Sequence, residues 1–323
     1  MKLPAGLSAS LREGATRLAM MGDQSQSKRG ELELKMFSPC RPLHGHSKRQ
    51  ALDLALPSSP HNTAGAQAMA NFPRIQISDD VRAQHQLVTQ QFGIERLALV
   101  FGASMGAQQT YEWAVRYPDM VARAAPLAGY ARNTDHCRQF VETLIEAITS
   151  DPAWNGGNYR SHLEVQAGLK RHARLWTVMG WATDFYATEH WREFNFSSCA
   201  QFHSQFMEPF FTPLDPNSLL CMAHKWQDGD VTRMTGGDLA AALGRISART
   251  FVMPISSDMF FKVDDCAREQ ALIKNSELRV MNSIAGHLGL FGIEPAFLAA
   301  LDDNLRDPVG KTADCRSGQH LPN

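Results

Sequence analysis

The feature that most constrains this chain is one short passage, "RLALVFGASMGAQQTYEWAVRYPDM", in which a hydrophobic run breaks at Gly102 and a helix-forming run starts after Gly106. The run "RLALVF" is brief, apolar and rich in Leu and Val, the pattern of a strand buried on both faces. The residues "AQQTYEWAVRY" are good helix formers, and Pro118 with Asp119 stops them. Ser104 therefore falls in a tight strand-to-helix turn, flanked two residues away on each side by a glycine that lets strand and helix approach closely. A serine so placed carries its hydroxyl above a sheet edge. The backbone N–H of Met105 heads the following helix, where it can face a developing oxyanion.

With 323 residues and 44% hydrophobic content the chain is long enough for a large α/β core. A formal net charge of −1 and no basic stripe interleaved with aromatics point away from nucleic acid or an anionic membrane as partner. The six cysteines are scattered without C-x-x-C pairs, the usage of reduced thiols. No apolar run is long enough to span a bilayer, and the first residues lack a signal-type hydrophobic segment, so the cytoplasm is the expected location. Metal chemistry is not expected. There is no H-E-x-x-H, and the "HGH" at His44 to His46 lacks further ligands at a readable spacing.

Residues 1–50 read as polar and loop-like, without a sustained period. "ALDLAL" is a strand candidate, and "ISDDVRAQHQLVTQQFGI" places Val81, His85, Val88 and Phe92 at helical spacing. Strand, helix, strand, turn, helix is the rhythm of a parallel sheet. "VARAAPLAG" is a further strand. Residues 133–229 break the rhythm, hold five of the six tryptophans and read as a helical lid insertion. Alternation then returns, with strands in "RTFVMPI" and "ELRVMNSI" and helices in "DDCAREQALIKN" and "EPAFLAALDDNL". The expected domains are an unmatched 1–50, an α/β core over 51–132 and 230–310, the 133–229 insertion, and a 311–323 tail.

A serine on such a turn needs a general base, and the base an orienting carboxylate. "RTFVMPI" runs into "SSDMFF", which places Asp258 just past a strand end. "ELRVMNSI" runs into "AGHLG", which places His287 just past the next. The order Ser, Asp, His and all three contexts agree. Asp264 and Asp265 are competitors, but "VDDCAREQ" resembles a helix start, where aspartates cap the helix and face solvent. Most of the twelve histidines fall in predicted helices or in the polar N-terminal segment.

The chain resembles the homoserine O-acetyltransferase-like branch of the α/β-hydrolase superfamily. The matching pieces are "GASMGAQQTYEWAVRYPDMVARAAPLAG", "LPSSPHNTAG" with "FPRIQISDDVRAQHQL", "WQDGDVTR", and "SSDMFF" with "SELRVMNSIAGHLG". They cover roughly Leu52 to Leu301; the N-terminal fifty residues do not match. The resemblance implies an α/β-hydrolase fold, a mostly parallel sheet with helices on both faces and a helical lid; the strands that the family carries before "SSP" find no match in the first fifty residues, which leaves the N-terminal part of the sheet open to being missing. It implies a Ser104, Asp258 and His287 triad, an acyl-serine intermediate, Met105 in the oxyanion hole, and acetyl-CoA as a possible donor with no bound cofactor. Arg174, in "GLKRHARLW", is the candidate for a substrate carboxylate, and a homodimer is an open option. A second oxyanion donor belongs on a loop ahead of the turn, where "LHGH" offers Gly45. The leading expectation is O-acetyl transfer to a small alcohol. The alternatives are hydrolysis of a small ester and a catalytically impaired relative.

Overall fold

A computed structural model of the chain describes residues 31–37 and 59–310, with side chains described for 59–306. Among the described residues five strands form one sheet in chain order, every neighbouring pair parallel: β1 (Glu31–Phe37), β2 (Arg96–Ala103), β3 (Arg123–Leu127), β4 (Arg249–Val252) and β5 (Ser276–Leu278). In β2 the pleat sends Leu99, Phe101 and Ala103 to one apolar cluster and Val100 to another, and the bulge at Ala98 turns Leu97 to the side of Val100. Both faces of this strand are therefore dry, as its unbroken apolar run requires. One face is covered by helices α1 (Ile77–Gln86) and α2 (Met105–Arg116), and ten of the twelve α2 residues are buried. The other face packs against α11 (Pro295–Gly310) through Phe297, Leu301 and Leu305.

Between β3 and β4 the chain runs through α3 (Asp135–Thr149), α4 (Gln166–Met179), α5 (Thr183–Ala187), α6 (Cys199–Phe202), α7 (Glu208–Phe211), α8 (Pro216–Gln227) and α9 (Leu239–Leu243), and α10 (Val263–Gln270) links β4 to β5. This insertion divides by packing. Residues of α3, α4 and α8 join the main core, whereas Trp181, Phe185, Trp191, Phe196, Phe202, Phe206 and Phe211 form a separate aromatic cluster with Ala285 and Leu288. Ring pairs at 4.3 Å (Trp181 and Phe185) and 5.4 Å (Phe202 and Phe206) hold that cluster by aromatic stacking.

Three expectations are corrected here. Residues 31–37 form a strand against β2, although the surrounding segment reads as loop; the signal was the period-2 alternation of "ELELKMF", too short to stand out in polar surroundings. The helix expected over "ISDDVRAQHQLVTQQFGI" ends at Gln86 and continues as a π-turn over Leu87–Gln91. That i→i+5 turn shifts the stripe's phase, and Phe92 is left 48% exposed while Val81 and Val88 are buried. Asp265, expected to face solvent, accepts a hydrogen bond from the Tyr130 hydroxyl at 2.8 Å. The strand expected in "ALDLAL" lies outside the described residues. Among the described residues no helix is long and apolar enough to cross a membrane.

Candidate active site

The site starts from a strained turn. Ser104 has φ 57° and ψ −121°, a conformation that L-residues avoid, and it sits between the last residue of β2 and the first of α2. The glycine before it is a packing necessity: a Cβ on Gly102 would lie 2.1 Å from the Gly106 carbonyl oxygen. The turn is tied to β3 by the Ser104 N–H, which donates to the Leu127 carbonyl at 2.9 Å. Met105 opens α2, and the first N–H groups of any helix have no intrahelical carbonyl to meet. Together with the positive end of the helix dipole, this makes the Ser104 hydroxyl the neighbour of an anion-seeking pole.

Asp258 and His287 leave the same sheet edge. Isolated bridges carry the ladder past the named strands, from Leu127 to Met253 and from Ile255 to Met281, so the loops after β4 and β5 emerge beside the turn after β2. The Asp258 Oδ1 accepts the N–H groups of Phe260 and Phe261 at 2.8 and 3.1 Å, an Asx-type turn that holds the carboxylate. Its Oδ2 is 2.7 Å from His287 Nδ1, and His287 Nε2 is 2.9 Å from Ser104 Oγ. An ionised carboxylate can only accept, so Nδ1 carries the proton and Nε2 offers its lone pair to the serine hydroxyl. The pair is shielded from water, with the Asp258 side chain 0% and the His287 side chain 4% exposed.

Neighbours that the sequence did not single out fix the two loops. The Ser257 hydroxyl donates to the Ser283 carbonyl at 2.5 Å and accepts the Gly286 N–H at 3.1 Å, joining the aspartate loop to the histidine loop. The repeated serine of "SSD" was the available signal. Gly286 has φ +64°, and a Cβ there would lie 2.7 Å from the Ala182 nitrogen, so the histidine loop sits tightly against the end of α4. Around the imidazole stand Phe260, Phe261 and Trp176, with ring centres 5.2, 5.4 and 6.4 Å away.

Ser104, Met105, Asp258 and His287 are thus brought together. Arg174 is exposed on α4 and lines an open depression with Thr143, Glu146, Ser150 and Arg171. None of these belongs to the turn or to the two loops. The loop with Gly45 lies outside the described residues. Among the described residues no group of three or more His, Cys, Asp or Glu side chains could hold a metal.

An α/β-hydrolase-fold family model matches residues 44–292. The chain belongs to this family. An ethyl acetate hydrolase of Pseudomonas veronii is 58% identical over 258 residues, covering 80% of this chain and 74% of the relative. The crystal structure of an acetylester hydrolase from Corynebacterium glutamicum superposes with a TM-score of 0.76 at 54% identity, covering 78% of this chain and 72% of that one. A homoserine O-acetyltransferase of Nostoc punctiforme is 31% identical over 229 residues, covering 67% of this chain and 63% of the relative. The resemblance to the acetyltransferase branch is real, and similarity to the ester hydrolases is greater.

Proposed function

We propose that the protein is a serine esterase that cleaves small acetate esters through an acetyl-Ser104 intermediate. The observation that carries this reading is the unbroken line from the strained Ser104 hydroxyl through His287 to the buried Asp258, at 2.9 and 2.7 Å. In the proposed cycle the Ser104 Oγ attacks the acetyl carbonyl carbon while its proton passes to His287 Nε2. The carbonyl oxygen becomes an oxyanion beside the Met105 N–H. As the tetrahedral intermediate collapses, the carbon–alkoxy bond breaks and His287 Nε2 returns the proton to the departing alcohol oxygen. Water then attacks the acetyl-serine with His287 as base, releasing acetate and restoring the serine. Asp258 holds the imidazole in the required tautomer and offsets the positive charge that builds on it. The relatives that hydrolyse ethyl acetate or acetyl esters support water as acceptor. The Nostoc acetyltransferase supports the same acyl-serine with another acceptor.

The test is to incubate the purified protein with a fluorophosphonate probe and, separately, with ethyl acetate. The expected outcome is a single label on Ser104, lost in Ser104→Ala, and steady acetate release without acetyl-CoA. Absence of label on a folded protein contradicts the serine mechanism. Release of CoA from acetyl-CoA that accelerates with homoserine or another alcohol, with no ester cleavage, returns the assignment to acyl transfer.

A further inference from the structure

Of the three rings around His287, Phe260 and Phe261 are fully buried. Trp176 is only half-buried and so the one of the three that keeps some exposed surface. It lies at the seam between the main core and the aromatic cluster and packs against both. Phe211 stacks on it at 5.9 Å, Phe260 meets it edge-on at 5.5 Å and Trp226 lies at 6.0 Å.

The indole is also held by a hydrogen-bonded strut. Its Nε1–H donates to His172 Nε2 at 3.1 Å, one turn back on α4, and His172 Nδ1 lies 3.2 Å from the Leu144 carbonyl on α3. A carbonyl only accepts, so Nδ1 carries the hydrogen and Nε2 is left as the acceptor that Trp176 needs. Burial pushes the imidazole down to about 4, which keeps the ring neutral and able to accept. The imidazole therefore connects α3 to the indole at two fixed points.

His287 must hand its proton to the departing alcohol oxygen, so the alkyl group on that oxygen leaves on the His287 side of Ser104. We propose that Trp176 is the wall of the alkoxy subsite and that His172 is the positioning residue that holds it there, so that together they cap the size of the alcohol portion. This rests on the esterase reading. The indole N–H is already taken by His172, which leaves the wall apolar and suited to short alkyl groups over charged ones.

The experiment compares kcat/KM for methyl, ethyl, butyl and hexyl acetate in the wild type and in variants, with fluorophosphonate labelling of Ser104 in the same samples. Opening an apolar pocket by several methylenes changes discrimination by about tenfold or more. Trp176→Ala is therefore expected to raise the hexyl-to-ethyl ratio about tenfold, mostly through KM for the longer esters. Trp176→Phe, which keeps the core filled, should move the ratio the same way by less, and serves if the alanine variant does not fold. His172→Leu removes the acceptor and should follow Trp176→Ala at reduced size; His172→Gln keeps an acceptor and should return the wild-type profile. A ratio unmoved in both Trp176 variants, with Ser104 still labelled, overturns the wall and leaves the esterase reading standing. Equal ratios in His172→Leu and His172→Gln remove the positioning role. A wild type that neither labels nor cleaves any ester fails at the earlier reading instead.

Discussion

The sheet with its loops and the aromatic cluster of residues 181–214 are both well packed, by different means. The sheet region holds strained and polar features in place: Ser104 at positive φ, the buried Asp258 and His287, and Glu269, whose carboxylate accepts the Ala131 and Arg132 N–H groups at 2.8 and 3.0 Å. The aromatic region is chiefly rings on short helices and turns, with His203 and Glu208 as its polar exception. Strain and buried charge are sustainable only where surrounding structure over-determines them. The proposed chemistry draws its residues from the first region, and Trp176 packs against both.

The largest expected effect tests the first half of that contrast. Ser104→Ala and His287→Ala should each lower ester turnover by roughly 10^4-fold or more while leaving the circular dichroism spectrum unchanged, because Ser104 sits in a turn and His287 in a short 3-10 segment, outside the strands and α-helices of the core. Near-normal turnover in His287→Ala means that another base serves the site.

Trp181→Ala probes the second half. Trp181 is 1% exposed, stacks on Phe185 and donates its indole N–H to Met207 Sδ at 3.3 Å, so truncation should cost about 3–5 kcal/mol. Amide exchange should rise over 181–214 and in the histidine loop, whose Leu288 joins the same cluster, and stay slow in β2 to β4. Equal acceleration in the sheet would merge the two regions into one cooperative unit.

The pH dependence of stability tests the buried charge of the core. Burial pushes the Glu269 carboxyl up to about 7, against the pull of the two N–H groups it accepts. A raised acid favours its protonated form in the fold, so its contribution is complete below pH 4.5 and fades as pH rises through 7. At about 1.4 kcal/mol per unit this amounts to roughly 3 kcal/mol. Glu269→Gln, which cannot ionise, should flatten the change in melting temperature between pH 5 and 8; an unchanged slope assigns it to another group. The smallest effect concerns Tyr111 on α2, whose buried hydroxyl has no hydrogen-bond partner among the described residues. Tyr111→Phe should be neutral or stabilising by up to about 1 kcal/mol, read from urea denaturation. A loss above 1 kcal/mol would reveal a partner for that hydroxyl.

What the sequence determined by itself was the part governed by short-range rules. A glycine-bounded turn between an apolar strand and a helix permits few backbone paths, so Ser104 and Met105 were legible from spacing. Asp258 and His287 followed from two strand ends and chain order. Tertiary structure alone decided the rest, because it depends on where distant surfaces meet. Trp176 and Arg174 are two residues apart on α4 and so about 200° apart around it; which of them faces His287 was set by the packing of α4 against α3 and the aromatic cluster. His172 was indistinguishable from any helical histidine until Leu144 and Trp176 were found at its two nitrogens. Transfer and hydrolysis share every residue of the proposed acyl-serine step, so no motif separates them; the rings that stand around His287, Trp176, Phe260 and Phe261, come from segments far apart in the chain and meet only in the fold.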